Sequence, residues 1–466
     1  MMEGVHVMDK RNYMELLSEQ IRCKRALPLV TKELELHIEE QKADFLAEGM
    51  TEREAEEAAV REMGDPVEVG VEMNRIHKPK MNWRLIFAIG VVSLAGMALL
   101  QILNVAVEAK DVPFFYLPGH LAYMVIGYGV MIGICCLDYT WFAPRAKVFL
   151  VGYMLLMIAG TTFFGETVNG LDGFVNVFGL AVVNVNQWVV LAIPLYCAVL
   201  YSYYGQGYRG LIKGILWMAP VVFMVNVFRS AGMIVLIPVL AVILSVAVCK
   251  GYFRVNVRRT LAAVWSAAVL FPCGMCLWFL KFGEPYQAKR LEVMFNSGKY
   301  ASEEGYQLHS LRKLLGGSRF IGEGKNFAEY SGMVPDCSSF ALTYIMSCFG
   351  ILAAACVVCM IIILMFKLTA MTLRQKNKLG CLMGVGCGIT LAWQAAWYVL
   401  TNLGLVLIGP IYCPFITKGG SGMIITYILC GIMLSIYRYQ NVAAESEKKP
   451  GGAFHYKNII KHRTDY

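Results

Sequence analysis

Arg290, Arg312, Lys313 and Arg319 lie in one long polar stretch, residues 282–337, which has Asp336 near its end and is followed by Ser338 and Ser339. Guanidinium forks match phosphate oxygens. A carboxylate accepts protons as a general base. Near neutral pH a serine hydroxyl does so only with an activating partner. The same basic residues also fit a solvated loop attracted to anionic headgroups. Asp336 also suits the N-cap of the helix that follows, as do Ser338 and Ser339. Gly316, Gly317, Gly322 and Gly324 permit tight turns, and no GKS/T follows them, so a nucleotide site of the Walker type is not indicated. A second cluster, Cys413-Pro-Phe-Ile-Thr-Lys418-Gly419-Gly420-Ser421-Gly422, precedes the last apolar run. Its paired glycines let backbone approach a neighbouring helix or a ligand. Cys273 and Cys276 have CxxC spacing but sit inside an apolar run with no companion His or Cys pair, so no metal is assigned.

The elements that must hold these residues are membrane helices. Of 466 residues, 57% are hydrophobic and 16% charged, and windows without charge recur through most of the chain. That pattern defines a polytopic membrane protein. The expected spans are 84–105, 120–137, 146–164, 183–203, 209–227, 231–249, 260–281, 338–366, 379–407 and 419–438. Ten spans place Arg145, Lys147, Arg209, Lys213, Lys250, Arg254, Arg258, Arg259, Lys367 and Arg374 on one side with both termini. The positive-inside rule makes that side cytoplasmic. The net charge of +9 is then topological, and no nucleic-acid partner is implied. The fold expected is all-α, about ten transmembrane helices at 81–440 with a large outward loop at 282–337 and a basic tail at 441–466.

Residues 1–80 are expected to form a separate three-helix cytoplasmic domain. Thr51-Glu52-Arg53-Glu54 reads as a capping box, and Asp65-Pro66 as a cap followed by proline at the first helical position. The stretch EGMTEREAEEAAVREMGDP resembles the permease-prefix, or HAAS-like, domain that precedes some bacterial membrane proteins. That resemblance implies a docking or regulatory module.

CPFITKGGSG resembles the PFISYGGSS signature of the SEDS family, the FtsW/RodA/SpoVE proteins. Further pieces follow in family order. Asn169-Gly170 with Phe174 resembles NGARRW, and Asn184-Val-Asn-Gln187 stands at QPSE. Phe228-Arg-Ser230-Ala-Gly232 stands at QPDLG. Gly305-Tyr306-Gln307-Leu-His-Ser310 resembles GYQ…S, residues 316–324 resemble GSGGLFGKG, and residues 334–340 resemble LPEAHTDF. The resemblance implies a peptidoglycan glycosyltransferase that polymerises lipid II, an undecaprenyl-pyrophosphate-linked disaccharide peptide, with a class B penicillin-binding protein as partner. No cofactor is implied, although a divalent cation is compatible with a pyrophosphate leaving group. Substrate contacts would come from Arg290, Tyr306, Gln307, Ser310, Arg312, Lys313, Gly316, Gly317, Arg319, Gly322, Gly324, Lys418, Gly419, Gly420 and Ser421. The family's catalytic Asp position holds Ser339, and two other acidic positions hold Gln187 and Ser230. Catalysis then falls to Asp336 and Ser339, or the chain is a family scaffold that binds lipid II, or a lipid II translocator.

Overall fold

The computed structural model describes residues 8–442 except 24–25, 107–115, 169–170, 178–180, 228–232, 283–291, 294–297, 301–304, 331–338, 376, 407–411 and 441. Two compact units result: Met1–Lys80 with Tyr439–Tyr466, and Met81–Arg438.

The first unit has four helices rather than three: α1 (Lys10–Gln20), α2 (Leu27–Ala47), α3 (Glu52–Glu62) and α4 (Pro66–His77). The additional helix is α1, a largely polar segment whose apolar residues recur at Tyr13, Leu17 and Ile21. All three are buried, with Val30, Ile38, Ala59, Val60 and Met73. The i, i+4 spacing gives α1 one narrow core-facing stripe. Val442 joins the same core, although the sequence alone assigns it to a separate tail. Local signals set the helix ends. Thr51 accepts from the Glu54 amide while the Glu54 carboxylate accepts from the Thr51 amide. Asp65 caps α4 through the Val67 amide at 2.8 Å. Burial, reinforced by the Asp65 carboxylate, pushes the Tyr13 hydroxyl up to about 12, so it stays neutral in the core.

Two carboxyls in this unit sit below their ordinary value of 4.5. A hydrogen bond from Lys10 holds Glu39 down, and one from the Thr51 hydroxyl holds Glu54 down. A depressed folded-state pKa contributes stability above the unfolded value, and that stability is lost as pH falls through the folded one. Hydrogen-exchange protection of α1–α3, corrected for intrinsic exchange, is therefore expected to fall as pH drops below 4.5. Protection that holds or rises in acid would contradict the assignment.

The second unit is mostly α-helical. It contains α5 (Trp83–Ala106), α6 (Tyr116–Cys136), α7 (Ala146–Phe164), α8 (Val185–Trp188), α9 (Ala192–Tyr201), α10 (Gly207–Leu216), α11 (Met218–Val227), α12 (Met233–Cys249) and α13 (Val257–Phe282). Then follow α14 (Tyr306–Gly316), α15 (Phe327–Tyr330), α16 (Ala341–Phe349), α17 (Ile351–Leu373), α18 (Lys378–Asn402) and α19 (Gly420–Arg438).

Six helices among the described residues are long and apolar enough to cross a membrane, where ten uniform spans were expected. They are Trp83–Ala106, Leu117–Cys136, Tyr139–Phe164, Ile351–Leu373, Lys378–Asn402 and Gly420–Arg438. Val189–Tyr201 and Val235–Cys249 are shorter apolar helices. The differences have local causes. The run at 209–227 divides at Trp217 because Pro220 has no N–H to donate to the Leu216 carbonyl. The run at 338–366 divides at Gly350, whose φ of 99° ends α16 and starts α17. The run at 183–203 begins in a strand.

That strand corrects the all-α expectation. β1 (Gly165–Val168), β2 (Leu171–Val177) and β3 (Ala181–Asn184) form an antiparallel sheet in the order β1-β2-β3. Valines at 168, 175, 177, 182 and 183 supply the β-branched content that favours strands.

The helix α18 is the most buried span, lined by small residues that let neighbours approach. A Cβ on Gly384 would lie 2.3 Å from Thr372, one on Gly386 2.7 Å from the Cys197 sulfur, and one on Gly388 2.4 Å from Thr369. On the other side α19 packs against α6. There Tyr427 lies edge-on to Tyr128 and donates to the Ser93 hydroxyl at 2.7 Å. Cys413 is a buried free thiol, and Cys337 lies outside the described residues.

Candidate functional site

The sequence-predicted residues fall into two groups. The first is organised by the C-terminal end of α18. Asn402, an amide on an apolar helix, faces the start of α16. Its Oδ1 accepts from the Thr343 amide at 3.1 Å and its Nδ2 donates to the Ser339 carbonyl at 3.4 Å. One turn earlier, the Tyr398 hydroxyl accepts from the Leu342 amide at 3.3 Å. Leu342 and Thr343 are the second and third residues of α16, so these amides are the ones an N-cap side chain would take. Phe340 stands at the cap position and contributes no side-chain bond. These two amides of α16 are therefore bonded from a different helix. Ser339 itself is half-buried, while Asp336 and Ser338 lie outside the described residues.

Asn402→Leu is expected to lower stability by about 1–3 kcal/mol, because the buried Thr343 amide and the Ser339 carbonyl lose their side-chain partner, while the Thr343 hydroxyl keeps the Asn402 carbonyl. A thermal melt of the purified protein in nanodiscs checks this. An unchanged midpoint would mean the α16 start finds other partners.

The same end of α18 holds α14. Arg312 directs Nε and Nη2 to the Gly404 carbonyl at 3.0 and 2.9 Å. Its fork thus ties the helix to α18, whereas the sequence alone offers it as a phosphate contact. Gly404 has φ of 67°, which turns that carbonyl beyond the helix end. Leu308, Leu311 and Leu314 bury the inner face of α14 together with Ser310. Tyr306, Gln307 and Lys313 are exposed on it. Arg290 lies outside the described residues.

Beyond α14 the chain folds back on the α16–α17 junction. Gly322 donates to the Phe349 carbonyl at 3.1 Å, and Gly324 to that of Ser347 at 2.7 Å. Ile351 and Leu352 donate in turn to the Arg319 and Phe320 carbonyls at 3.0 and 3.1 Å. These bonds satisfy the carbonyls that end α16 and the amides that start α17. A Cβ on Gly317 would meet Asn326 at 2.7 Å, and one on Gly324 the Gly317 carbonyl at 2.8 Å. These glycines serve close packing of the turn. Gly316 has open space around its Cα, Gly322 takes φ of 84°, and Arg319 is exposed.

The second group is the Lys418–Ser421 segment. Its described contacts run to α5, α6 and β3. Gly420 admits the Tyr123 ring, and Gly422 the Tyr412 ring. The Ser421 hydroxyl accepts from the Asn184 amide at 3.0 Å. Phe415, at φ of 70°, presses its carbonyl against Gly96, where a Cβ would lie 1.9 Å away. Lys418 is exposed and Gly419 half-exposed. Gln187 is half-buried in α8, and Ser230 lies outside the described residues. Among the described residues no three His, Cys, Asp or Glu side chains come together as a metal site.

Asn402, Tyr398, Thr343 and Gly404 are not among the sequence-predicted site residues. The available signal was the i, i+4 pairing of Tyr398 with Asn402 on an otherwise apolar helix.

The fold and these junctions define a multi-pass, mostly α-helical membrane protein whose central helix end anchors a long polar segment. Residues 79–442 match the FtsW/RodA/SpoVE family, described as cell cycle protein. The chain belongs to that family. It is 23% identical over 373 residues to a probable peptidoglycan glycosyltransferase FtsW of Coxiella burnetii, covering 75% of this chain and 95% of that protein. A protein of the same description from Xanthomonas oryzae pv. oryzae is 22% identical over 378 residues, covering 78% and 74%. Among solved structures, a peptidoglycan synthase complex that coordinates polymerization and crosslinking contains a chain with TM-score 0.61 and 20% identity. That match covers 77% of this chain and 99% of the other. The rod shape determining protein RodA of Thermus thermophilus gives TM-score 0.53 at 17% identity, covering 77% and 97%.

Proposed function

We propose that this chain is a peptidoglycan glycosyltransferase that polymerises lipid II in bacterial cell-wall synthesis. The observation that carries the reading is the family match, which runs unbroken through 79–442 and so includes the anchored 305–352 segment. In the reaction an acceptor sugar hydroxyl gives its proton to a base. Its oxygen forms the new glycosidic bond as the sugar–pyrophosphate bond breaks, and the pyrophosphate leaves with the bonding electrons. Asp336 is the base in this reading. The α16 amides that would otherwise claim it as a cap already have Tyr398 and Asn402 as partners. Arg290 and Lys313 meet the pyrophosphate, and Arg312 positions α14. Tyr306 and Gln307, exposed on α14, contact the substrate, with Lys418 to Ser421 as a second contact region.

Ten passes with both termini cytoplasmic belong to this reading. They comprise the six long spans together with α9, the kinked α10–α11, α12 and α13. Residues 1–80 act as a HAAS-like docking module. A class B penicillin-binding protein is the partner, by likeness to the synthase complex.

Ser339, Ser230 and Gln187 at three acidic family positions favour a second reading, a lipid II-binding scaffold without polymerase activity. Glycan formation from labelled lipid II by the purified protein, with and without a class B transpeptidase, separates the two. Polymer supports the enzyme. Lipid II binding without polymer, beside an active relative as control, supports the scaffold.

A further inference from the structure

We propose that the turn at 319–325 is a membrane wedge. Phe320 and Ile321 enter the lipid leaflet at the end where α17 begins, and Arg319 and Lys325 reach the headgroup phosphates.

Depth is set by backbone hydrogen bonds. The amides of Ile351 and Leu352, the first two residues of α17, donate to Arg319 and Phe320, and Gly322 donates to Phe349. The turn cannot sit far above or below that level without breaking this ladder. At 23 residues α17 is about 34 Å long at 1.5 Å per residue, close to the hydrocarbon thickness of a bilayer, so its first residues lie at the interface. Phe320 and Ile321 are 65% and 67% exposed beside Ile351 and Leu352 at 42% and 43%. The same helix continues outward-facing through Ile362, Ile363 and Phe366, so the tip extends a lipid-facing surface. Arg319 and Lys325 flank the tip, both exposed, and among the described residues neither makes an ion pair. Glu323 is also exposed in the turn. Cations beside a rigid apolar tip at headgroup height fit an anionic lipid surface. Gly350 supports the geometry. Its missing side chain lets Ile321 Cα and the Phe320 carbonyl approach to 2.7 Å of where a Cβ would stand. The wedge requires only that α17 spans the membrane, and it survives failure of the polymerase reading.

The test is a depth measurement on the full chain in nanodiscs containing phosphatidylglycerol. Dansylalanine replaces Phe320, and in a second protein Ile321. Reporters at Phe366 and at Leu36, exposed on α2, mark lipid and water. Lipids carrying a nitroxide near the headgroup are expected to quench the reporters at 320 and 321, and iodide to leave them as shielded as the one at Phe366. Iodide quenching equal to that at Leu36 would overturn the wedge. So would quenching by neither agent, which would mean a protein covers the turn. Arg319→Gln with Lys325→Gln is expected to remove the dependence of nitroxide quenching on the phosphatidylglycerol fraction. A dependence that persists would overturn the headgroup contact.

Discussion

Asp336→Asn is expected to slow glycan polymerisation about 10²–10⁴-fold, the range for losing a general base, while lipid II binding is retained. The choice of Asn matters. Asn and Asp are equivalent N-caps, so the substitution keeps any capping role and removes only the proton acceptor. The structure makes a capping role unnecessary, because the Leu342 and Thr343 amides are already bonded to Tyr398 and Asn402. An Asn variant as fast as wild type would sink Asp336 as the base. The companion variant Ser339→Asp restores a carboxylate at the family position, beside a carbonyl that Asn402 already holds. It is expected to raise polymerisation. A fall with Asp336→Asn and a rise with Ser339→Asp, in single-turnover assays with labelled lipid II, would establish a displaced but working base.

Gly350→Ala is expected to give the largest structural effect. At φ 99° and ψ 167° the residue occupies a region open essentially to glycine, and the backbone strain alone costs about 1–3 kcal/mol. The added methyl would also stand 2.7 Å from backbone atoms of Phe320 and Ile321, which no side-chain rotation relieves. The turn must withdraw, and the bonds at Gly322, Gly324, Ile351 and Leu352 fail with it. Amide exchange at Gly322 and Gly324 should accelerate, and the melting temperature in nanodiscs should fall. Unchanged exchange at both amides would show that the α16–α17 break tolerates a side chain. If the turn also positions α14, polymerisation falls with it.

How far the sequence could be read depended on the range of the interactions involved. Thr51 with Glu54, and Asp65 with Val67, act within three residues, so residue type and spacing were enough to locate these caps. Membrane helices such as α5 and α17 were legible because burial in lipid demands a long uncharged run. The family motifs kept their order, so the family was legible as well. Four features needed tertiary structure. Arg312 reads as a phosphate contact by type, and only the fold brings Gly404, 92 residues away, to its Nε and Nη2. The Leu342 and Thr343 amides look for a local cap until Tyr398 and Asn402 bond them from α18. Valine-rich residues 165–182 fall between two expected spans until three strands pair. Residues 338–366 look like one helix until the turn at 319–325 packs into the break at Gly350. By itself the sequence determined the membrane class, the local caps and the family. The partner of each polar group was decided by chain folding, because such groups bond to whatever donor or acceptor the fold brings within about 3 Å, however distant in sequence.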